Sequence, residues 1–195
     1  DFRPSQLISS KGQGGNLTVN ASESVELIGT STNGVPSSLA ANTQGPADAG
    51  KLTIATRQLV VRDGAKVTVS SQFARNAISL NQKDISNLGN AGELNVNARS
   101  ILLDNQGKLT SETDFSQGGN IRLQVQDLLL MRRNSQISTN AGKAQARGDG
   151  GNIFINAADG FIVADKGENS DITANAFTGS GGRVQINATG IFGIV

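Results

Sequence analysis

Four acidic residues are the side chains of this sequence that are best suited to catalysis. Asp63 and Asp104 follow equivalent apolar segments, and Glu112 and Asp114 follow a third such segment. Two carboxylates on one external face, with basic groups nearby, are the arrangement that cleaves glycosidic bonds. The basic residues close to these acids are Arg62, Lys66, Lys108, Arg132 and Arg133. Glycan cleavage is therefore one open function, although each acid fits a solvated turn equally well.

The composition of the 195-residue chain excludes most other catalytic machinery. It has no His and no Cys, which rules out Ser-His-Asp and Cys-His nucleophiles, disulfides, and metal sites built on imidazole or thiolate. It has no Trp or Tyr, so only its 7 Phe can stack on sugars or bases. Its net charge of +1 gives no electrostatic reason to bind nucleic acid. We therefore predict a protein that is not an enzyme and has no cofactor, no metal and no nucleic-acid partner.

A short pattern recurs along nearly the whole chain and identifies the elements that would position these residues. It reads Gly or Ala, then Gly, a variable residue, and two apolar residues separated by another variable one. The second glycine of its six copies is Gly15, Gly50, Gly92, Gly119, Gly151 and Gly182. The steps of 35, 42, 27, 32 and 31 residues between these positions fall in the range of solenoid repeats.

Each repeat contains two further apolar segments, a run such as 59–61 and a segment such as 136–140. These segments alternate with period two, are rich in Val, Ile, Leu and Thr, and end at Gly, Asn, Asp or Ser, which is typical of strands and turns. Three short strands per repeat describe one rung of a solenoid, and parallel crossovers are right-handed. We predict one all-β domain over 1–195, a right-handed parallel β-helix. Its five complete rungs would span 14–48, 49–90, 91–117, 118–149 and 150–180, with partial rungs at 1–13 and 181–195.

Two insertions and several outward side chains form the candidate contact surface of this rod. The insertions occupy 29–36 and 72–90, and insertions in solenoids often carry the binding surface. The side chains expected at the surface are Phe73, Arg75, Arg57, Arg99 and Phe154. Arg57 and Arg99 hold equivalent positions and would form a basic stripe for an anionic polysaccharide, although nearby acids favour a solvated face.

Asparagines at fixed positions of the repeat predict structural ladders, in which side-chain amides bond from rung to rung. The first predicted ladder consists of Asn20, Asn97, Asn156 and Asn187. A second one, at another corner, consists of Asn42, Asn140 and Asn175. The run 148–152 resembles a fragment of a calcium-binding loop, but it occurs once and a turn explains it without a metal.

The ends of the chain and its apolar runs indicate whether it could span a membrane or associate with itself. The longest apolar run, 128–131, is far too short to span a membrane. The chain begins without Met and inside a repeat, so we expect it to be a piece of a longer array. Unpaired strand edges at the ends of such a piece would favour self-association through the rung ends.

The repeat resembles that of filamentous-haemagglutinin-like exoproteins, the secreted partners of two-partner secretion systems, and is most similar to the long cyanobacterial forms. The resemblance lies in runs such as 150–157 and 169–193 and covers essentially 5–194. It implies a right-handed parallel β-helix, export through an outer-membrane β-barrel transporter, and display on or release from the cell surface. The secretion domain of this family carries an Asn-Pro-Asn motif, and none of the 3 Pro here follows Asn. We therefore expect this chain to belong to the downstream shaft.

The expected function is that of a non-catalytic shaft segment of a secreted or cell-surface adhesin. It would act as a rigid spacer and as a contact surface for a surface glycan or a protein receptor. Two alternatives stay open. One is a polysaccharide-cleaving enzyme on the same fold, and the other is an extracellular filament or lattice protein that assembles end to end.

Overall fold

The computed structural model describes residues 12–44, 46–72, 89–142 and 147–193. Over these ranges the chain is all β, with long and short strands in alternation and no helix. The long strands are β1 (Leu17–Ile28), β3 (Lys51–Arg62), β5 (Glu93–Asp104), β7 (Asn120–Met131), β9 (Ile153–Ala164) and β11 (Val184–Phe192). The short strands are β2 (Ser38–Ala40), β4 (Lys66–Thr68), β6 (Lys108–Thr110), β8 (Gln136–Ser138) and β10 (Asp171–Thr173). None of the described residues thus belongs to an apolar helix of membrane-spanning length.

Each strand pairs in parallel with the equivalent strand of the next repeat and not with its neighbour in sequence. The six-stranded sheet has the order β1-β3-β5-β7-β9-β11, and the five-stranded sheet has the order β10-β8-β6-β4-β2. Leu17 faces Leu52, and Leu52 faces Leu94, so the repeats stack in register. The predicted all-β class with parallel strands is confirmed, and the layout is consistent with a parallel β-helix. We use the word rung for one long strand and the short strand that follows it.

The prediction of three short strands per rung needs correction, because the first two apolar segments form one long strand. A register shift near the middle of the long strands interrupts four of their five pairings, for example between Ala21 and Ser24 of β1 and between Gln124 and Leu128 of β7, whereas β3 pairs with β5 without a shift. Such an irregularity redirects a strand without ending its ladder of hydrogen bonds. We call this place the bend, and the parts before and after it the first and second halves of the long strand.

The core is one cluster of buried side chains from both sheets. One of its columns starts at Leu17, ends at Val184, and consists in between of Leu52, Leu94, Ile121 and Ile153. The four middle members are completely buried, whereas Val184 is 40% exposed. Burying such a side chain contributes about 1.5–3 kcal/mol. Stacking of rungs is therefore what creates the core.

The second glycine of the repeat motif is required because successive rungs approach closely there. A Cβ atom on Gly50 would lie 2.0 Å from the carbonyl oxygen of Gly15, and one on Gly92 would lie 1.9 Å from that of Gly50. One on Gly151 would lie 1.7 Å from the carbonyl oxygen of Gly119. A side chain at this position of the second and later copies would push two rungs apart, whereas a Cβ atom on Gly15 in the first copy would meet nothing within 4 Å. The motif that reveals the repeat is thus a packing requirement of the fold.

Candidate contact surface

The bend brings Arg57 and Arg99 to the outer surface, each beside an acid from a neighbouring rung. Arg57 Nη1 lies 3.5 Å from Glu23 Oε2, and Arg99 Nε lies 2.5 Å from Asp127 Oδ2. The hydrogen bond to Asp127 raises the pKa of the Arg99 guanidinium. Exposed pairs of this kind contribute about 0–1 kcal/mol to stability. The two arginines therefore belong to a stripe of mixed charge along the bend, where acids offset their positive charge.

A shallow open depression of about 430 Å³ lies on this bend. Its lining includes the small side chains of Ala21 and Ala55 together with Asn97 and both bend arginines. Guanidinium groups can bind carboxylate or sulfate in a fork. Here both of them already contact a carboxylate of this chain, so an anionic ligand would have to displace Glu23 or Asp127.

Phe154 lies on the outer face of β9, between the buried Ile153 and Ile155. The guanidinium carbon of Arg122 is 5.2 Å from the centroid of the Phe154 ring, which is a cation–π distance. Arg122 also pairs with Glu93, whose Oε2 lies 3.1 Å from Lys51 Nζ.

The two cations near Phe154, Lys51 and Arg122, share the carboxylate of Glu93. Burial raises the pKa of the Glu93 carboxyl, but the hydrogen bond to Lys51 and the charges of Lys51 and Arg122 outweigh it and leave that pKa lowered. A cation from the adjacent rung thus occupies one face of the Phe154 ring, where a sugar ring would otherwise stack.

The structure describes the whole of the insertion 29–36 but only the ends of the insertion 72–90. Phe73, Arg75 and most of the insertion 72–90 lie outside the described residues. The insertion 29–36 is a small hairpin closed by a bridge between Thr30 and Pro36, with the Ser31 N–H donating to the Val35 carbonyl at 2.8 Å. Val35 at its tip is 63% exposed. This hairpin is the part of the two insertions for which the structure describes an exposed apolar side chain.

Amide side chains join the last three rungs on the outer face of the first half. Asn187 Nδ2 donates to Asn156 Oδ1 at 2.9 Å, and Asn156 Nδ2 donates to Gln124 Oε1 at 2.8 Å. Asn97 and Asn20 stand in the same column, but Ala55 separates them and carries no amide. The hydrogen bonds thus run through Gln124, a member that the asparagine pattern did not include.

In the second predicted column, the asparagine side chains accept hydrogen bonds from backbone N–H groups of the next rung. Asn42 Oδ1 accepts the Ser70 N–H at 2.7 Å, and Asn140 Oδ1 accepts the Asn175 N–H at 2.9 Å. Glu112 stands between them in the column and is 8% exposed. Its carboxylate accepts a hydrogen bond from Asn140 Nδ2 at 3.3 Å and another from Ser138 Oγ. These side chains satisfy polar groups at a buried corner, as interiors require.

A third column follows the glycine pair, and sequence reasoning missed it. Asn16 Oδ1 accepts the Lys51 N–H, Asn120 Oδ1 accepts the Asn152 N–H, and Asn152 Oδ1 accepts the Arg183 N–H, each at 3.0 Å. The signal was present, since Asn directly follows Gly-Gly in three of the six copies.

The run 148–152, which resembles a calcium loop, uses its oxygens inside the fold. Asp149 Oδ1 accepts the Ser180 N–H at 2.8 Å, and Asn152 belongs to the third column just described. Within the described ranges no three acidic side chains come together as metal ligands would. The run therefore acts as a turn that bonds to the next rung.

The acids considered for glycan cleavage are distributed over two corners. Asp63 accepts hydrogen bonds from Arg62 Nη1 at 2.9 Å and Asn105 Nδ2 at 2.8 Å, and Asp104 accepts one from Arg133 Nε at 2.9 Å. Glu112 and Asp114 follow the other end of β6, where Glu112 is buried. The structure thus brings Asp63 and Asp104 to neighbouring rungs, and β6 separates them from the second pair.

The corner that follows the second half carries an ion pair between adjacent rungs, in which two nitrogens of Arg132 bind the two carboxylate oxygens of Glu168. Arg132 Nη2 donates to Glu168 Oε1 at 2.7 Å, and the Arg133 N–H donates to Glu168 Oε2 at 3.1 Å. The hydrogen bond from Arg132 lowers the pKa of Glu168 to about 2 and raises that of Arg132. This corner is highly charged, but its charges compensate one another between adjacent rungs.

No family model, curated protein or solved structure matches this chain. The functional argument consequently rests on the repeat, the register of its rungs and the chemistry of its outer faces.

Proposed function

We propose that this chain is a non-catalytic shaft segment of a secreted or cell-surface adhesin, built as a right-handed parallel β-helix. The supporting observation is that charged side chains of the described surface join rungs. Six of the seven described ion pairs connect neighbouring rungs, and one lies within a rung. Side chains in an active site converge on a substrate, whereas these pairs reinforce the rod along its length.

A spacer role follows from the direction of the backbone hydrogen bonds. In stacked parallel strands these bonds run along the stacking direction, with about 4.8 Å between strands. A load along the stacking direction therefore acts along these hydrogen bonds, which open rung by rung. The six long strands span about 24 Å at this spacing.

The likeness of the repeat to filamentous-haemagglutinin-like exoproteins supports the cellular part of the proposal. On this proposal an outer-membrane β-barrel transporter exports the chain, which then folds rung by rung outside the cell. Each rung needs only its neighbour for hydrogen bonds and core contacts, so folding can propagate along the chain. The outer faces and the hairpin at 29–36 would contact a surface glycan or a protein receptor.

Force spectroscopy tests the spacer role directly. The chain would be held by tags at its two ends and extended at constant speed. We expect stepwise unfolding in which each event releases the contour length of one or a few rungs. A smooth extension at low force, as for an unstructured chain, would contradict a spacer.

Glycan cleavage is tested separately on a panel of neutral and anionic polysaccharides, by measuring new reducing ends. The proposal expects no release above a buffer control. Release that disappears in Asp104→Ala or Asp63→Ala would make the chain an enzyme and overturn the proposal.

A further inference from the structure

Two exposed aromatic rings lie together on the outer face of the second half. Phe161 of β9 and Phe192 of β11 are 42% and 55% exposed, and their ring centroids lie 6.0 Å apart at a tilt of 39°. Gly190 faces Phe161 in the register, and a Cβ atom there would lie 3.1 Å from both rings. The rings therefore lie against the backbone of β11, packed on each other and open to solvent. We call them the ring pair.

An open depression of about 330 Å³ adjoins the ring pair. Its lining includes Val163, which faces Phe192 in the register, and Gly193, the residue after Phe192. The aliphatic side chain of Leu130 extends this lining. Its charged members are Arg132, Asp165 and Lys166. Apolar surface combined with a few polar groups is the usual composition of a binding site for a small ligand. We call the ring pair and this depression the aromatic patch.

Three charged side chains beside the aromatic patch belong to no ion pair of the described chain. They are Asp159, two residues before Phe161, and Asp165 and Lys166 at the end of β9, and all three are exposed. Asp165 Oδ1 accepts one hydrogen bond, from the Gly167 N–H at 2.9 Å. A ligand can therefore bond to these groups without displacing an ion pair, in contrast to the depression at the bend.

The area of the ring pair suits a sugar better than a protein. A Phe side chain offers about 150–250 Å², so two rings that are about half exposed present roughly 200 Å². A stable protein interface buries about 800 Å² on each partner. The ring pair is thus too small to hold a protein, whereas its area is comparable to the face of a disaccharide.

We propose that the aromatic patch binds a neutral polysaccharide, with a sugar ring stacked on the ring pair. The π face of an aromatic ring is negative and attracts the polarised C–H groups on one face of a sugar ring. The sugar hydroxyls bond to Asp159, Asp165 and Lys166, and hydrogen bonds to charged groups are the stronger ones. Two of these three charges are negative, so carboxylates or sulfates on the polysaccharide would be repelled. This inference rests on the proposed contact with a surface glycan and names its class.

Saturation-transfer NMR with tetrasaccharides tests the proposal. The probes are 1,4-linked tetramers of glucose, mannose and galactose, each compared with the corresponding tetrauronate, which differs only in a carboxylate at C6 of each sugar. We expect the ring C–H protons of at least one neutral tetramer to receive saturation, with a dissociation constant of about 1 mM because the contact is small. Its tetrauronate should bind about tenfold more weakly. Binding of none of the neutral tetramers, or equal binding of the matched tetrauronate, would overturn the proposal.

Substitutions locate the sugar on the protein. Phe161→Ser removes one ring and should weaken binding about tenfold. Asp159→Asn keeps the shape of the side chain, and it should weaken the neutral tetramer about threefold while narrowing its advantage over the tetrauronate. The matched control is Phe177→Ser, which makes the same change at a Phe that is 58% exposed elsewhere on the surface and should leave binding unchanged.

Circular dichroism establishes that each variant is folded. Binding that survives both Phe161→Ser and Asp159→Asn, or that Phe177→Ser weakens as much as Phe161→Ser does, would refute the site. A dimer seen by sedimentation in the parent and lost in Phe161→Ser would assign the aromatic patch to a second copy of the chain and overturn the proposal.

Force spectroscopy separates a failure of this inference from a failure of the proposed function. Stepwise unfolding in a protein that binds no tetrasaccharide would overturn the sugar site alone and leave the spacer intact. Sugar binding in a protein that extends smoothly at low force would overturn the spacer and support the sugar site.

Discussion

The two halves of each long strand share one core but have opposite outer faces. In β9 the first half presents Phe154 and Asn156, which contact the neighbouring rung through a cation–π contact and an amide hydrogen bond. The second half presents the apolar side chains of Phe161 and Val163. The inward residues follow the same period-two pattern in both halves. The difference shows that the core fixes the fold, while the outward positions are free to differ and so can carry the contacts.

The largest effect should come from the core that both halves share. Leu123→Ala in the first half and Leu129→Ala in the second each remove a completely buried side chain. Each should lower the free energy of unfolding by about 2–5 kcal/mol, because a cavity remains. Denaturant unfolding followed by circular dichroism measures this loss. A cost confined to one half would mean that the two halves do not share a core.

Outward controls sharpen the same experiment. Leu130→Ala removes a side chain of similar size from the outer face of β7, where it is only partly buried. We expect its cost to be clearly smaller than that of Leu129→Ala, its inward neighbour. Equal costs would show that the outward apolar residues of the second half form a second core.

The next largest loss of stability is expected at the start of the first half. A Cβ atom on Gly119 would lie 1.8 Å from the Gly92 carbonyl oxygen and 2.2 Å from Ser111 Oγ. Gly119→Ala should therefore cost about 1–3 kcal/mol, since neighbouring backbones must separate. Gly181→Ala is the matched control, because the nearest atom to its added Cβ is 3.5 Å away. Thermal unfolding distinguishes the two, and equal melting temperatures would contradict the close approach of the rungs.

A smaller difference in stability should distinguish the outer faces of the two halves. Asn156→Ala removes the hydrogen bonds to Gln124 and from Asn187 and should cost about 0.5–1.5 kcal/mol. Val163→Thr, at an outward position of the second half of the same strand, should stay within about 0.5 kcal/mol of the parent. Denaturant midpoints measure both. A larger loss for Val163→Thr than for Asn156→Ala would show that the outer face of the second half, and not that of the first, stabilises the protein.

The smallest effect is a dependence on pH at the corner that follows the second half. The hydrogen bond from Arg132 lowers the pKa of Glu168 from 4.5 to about 2. Its contribution to stability is therefore complete above pH 4.5 and is lost as the pH falls toward 2. Glu168→Gln should be less stable than the parent at pH 6, and the difference should shrink through this window. A difference that does not vary with pH would contradict the ion pair.

Sequence patterns predicted the repeat and its inward columns because Gly-Gly pairs and alternating apolar residues are local signals. The bend was missed because its register shift, as between Ala21 and Ser24, does not break the strand ladder. Ion pairs such as Arg57 with Glu23 were not predicted either, because they join residues 34 positions apart in repeats of unequal length. The outward apolar residues of β7 can be recognised in the run 128–130 only once the structure shows that Leu129 points inward.

The central claim is that successive rungs stack in register along one axis. Thr18 and Gln185 lie in one outward column, five rung steps apart. Because the chain has no Cys, Thr18→Cys and Gln185→Cys can carry two spin labels, and electron double resonance gives the distance between them. We expect a narrow distribution with about 24 Å between the two backbones, shortened by about 5 Å when Thr53→Cys replaces Thr18→Cys. A broad distribution, or no shortening with the second pair, would contradict the stacked rungs.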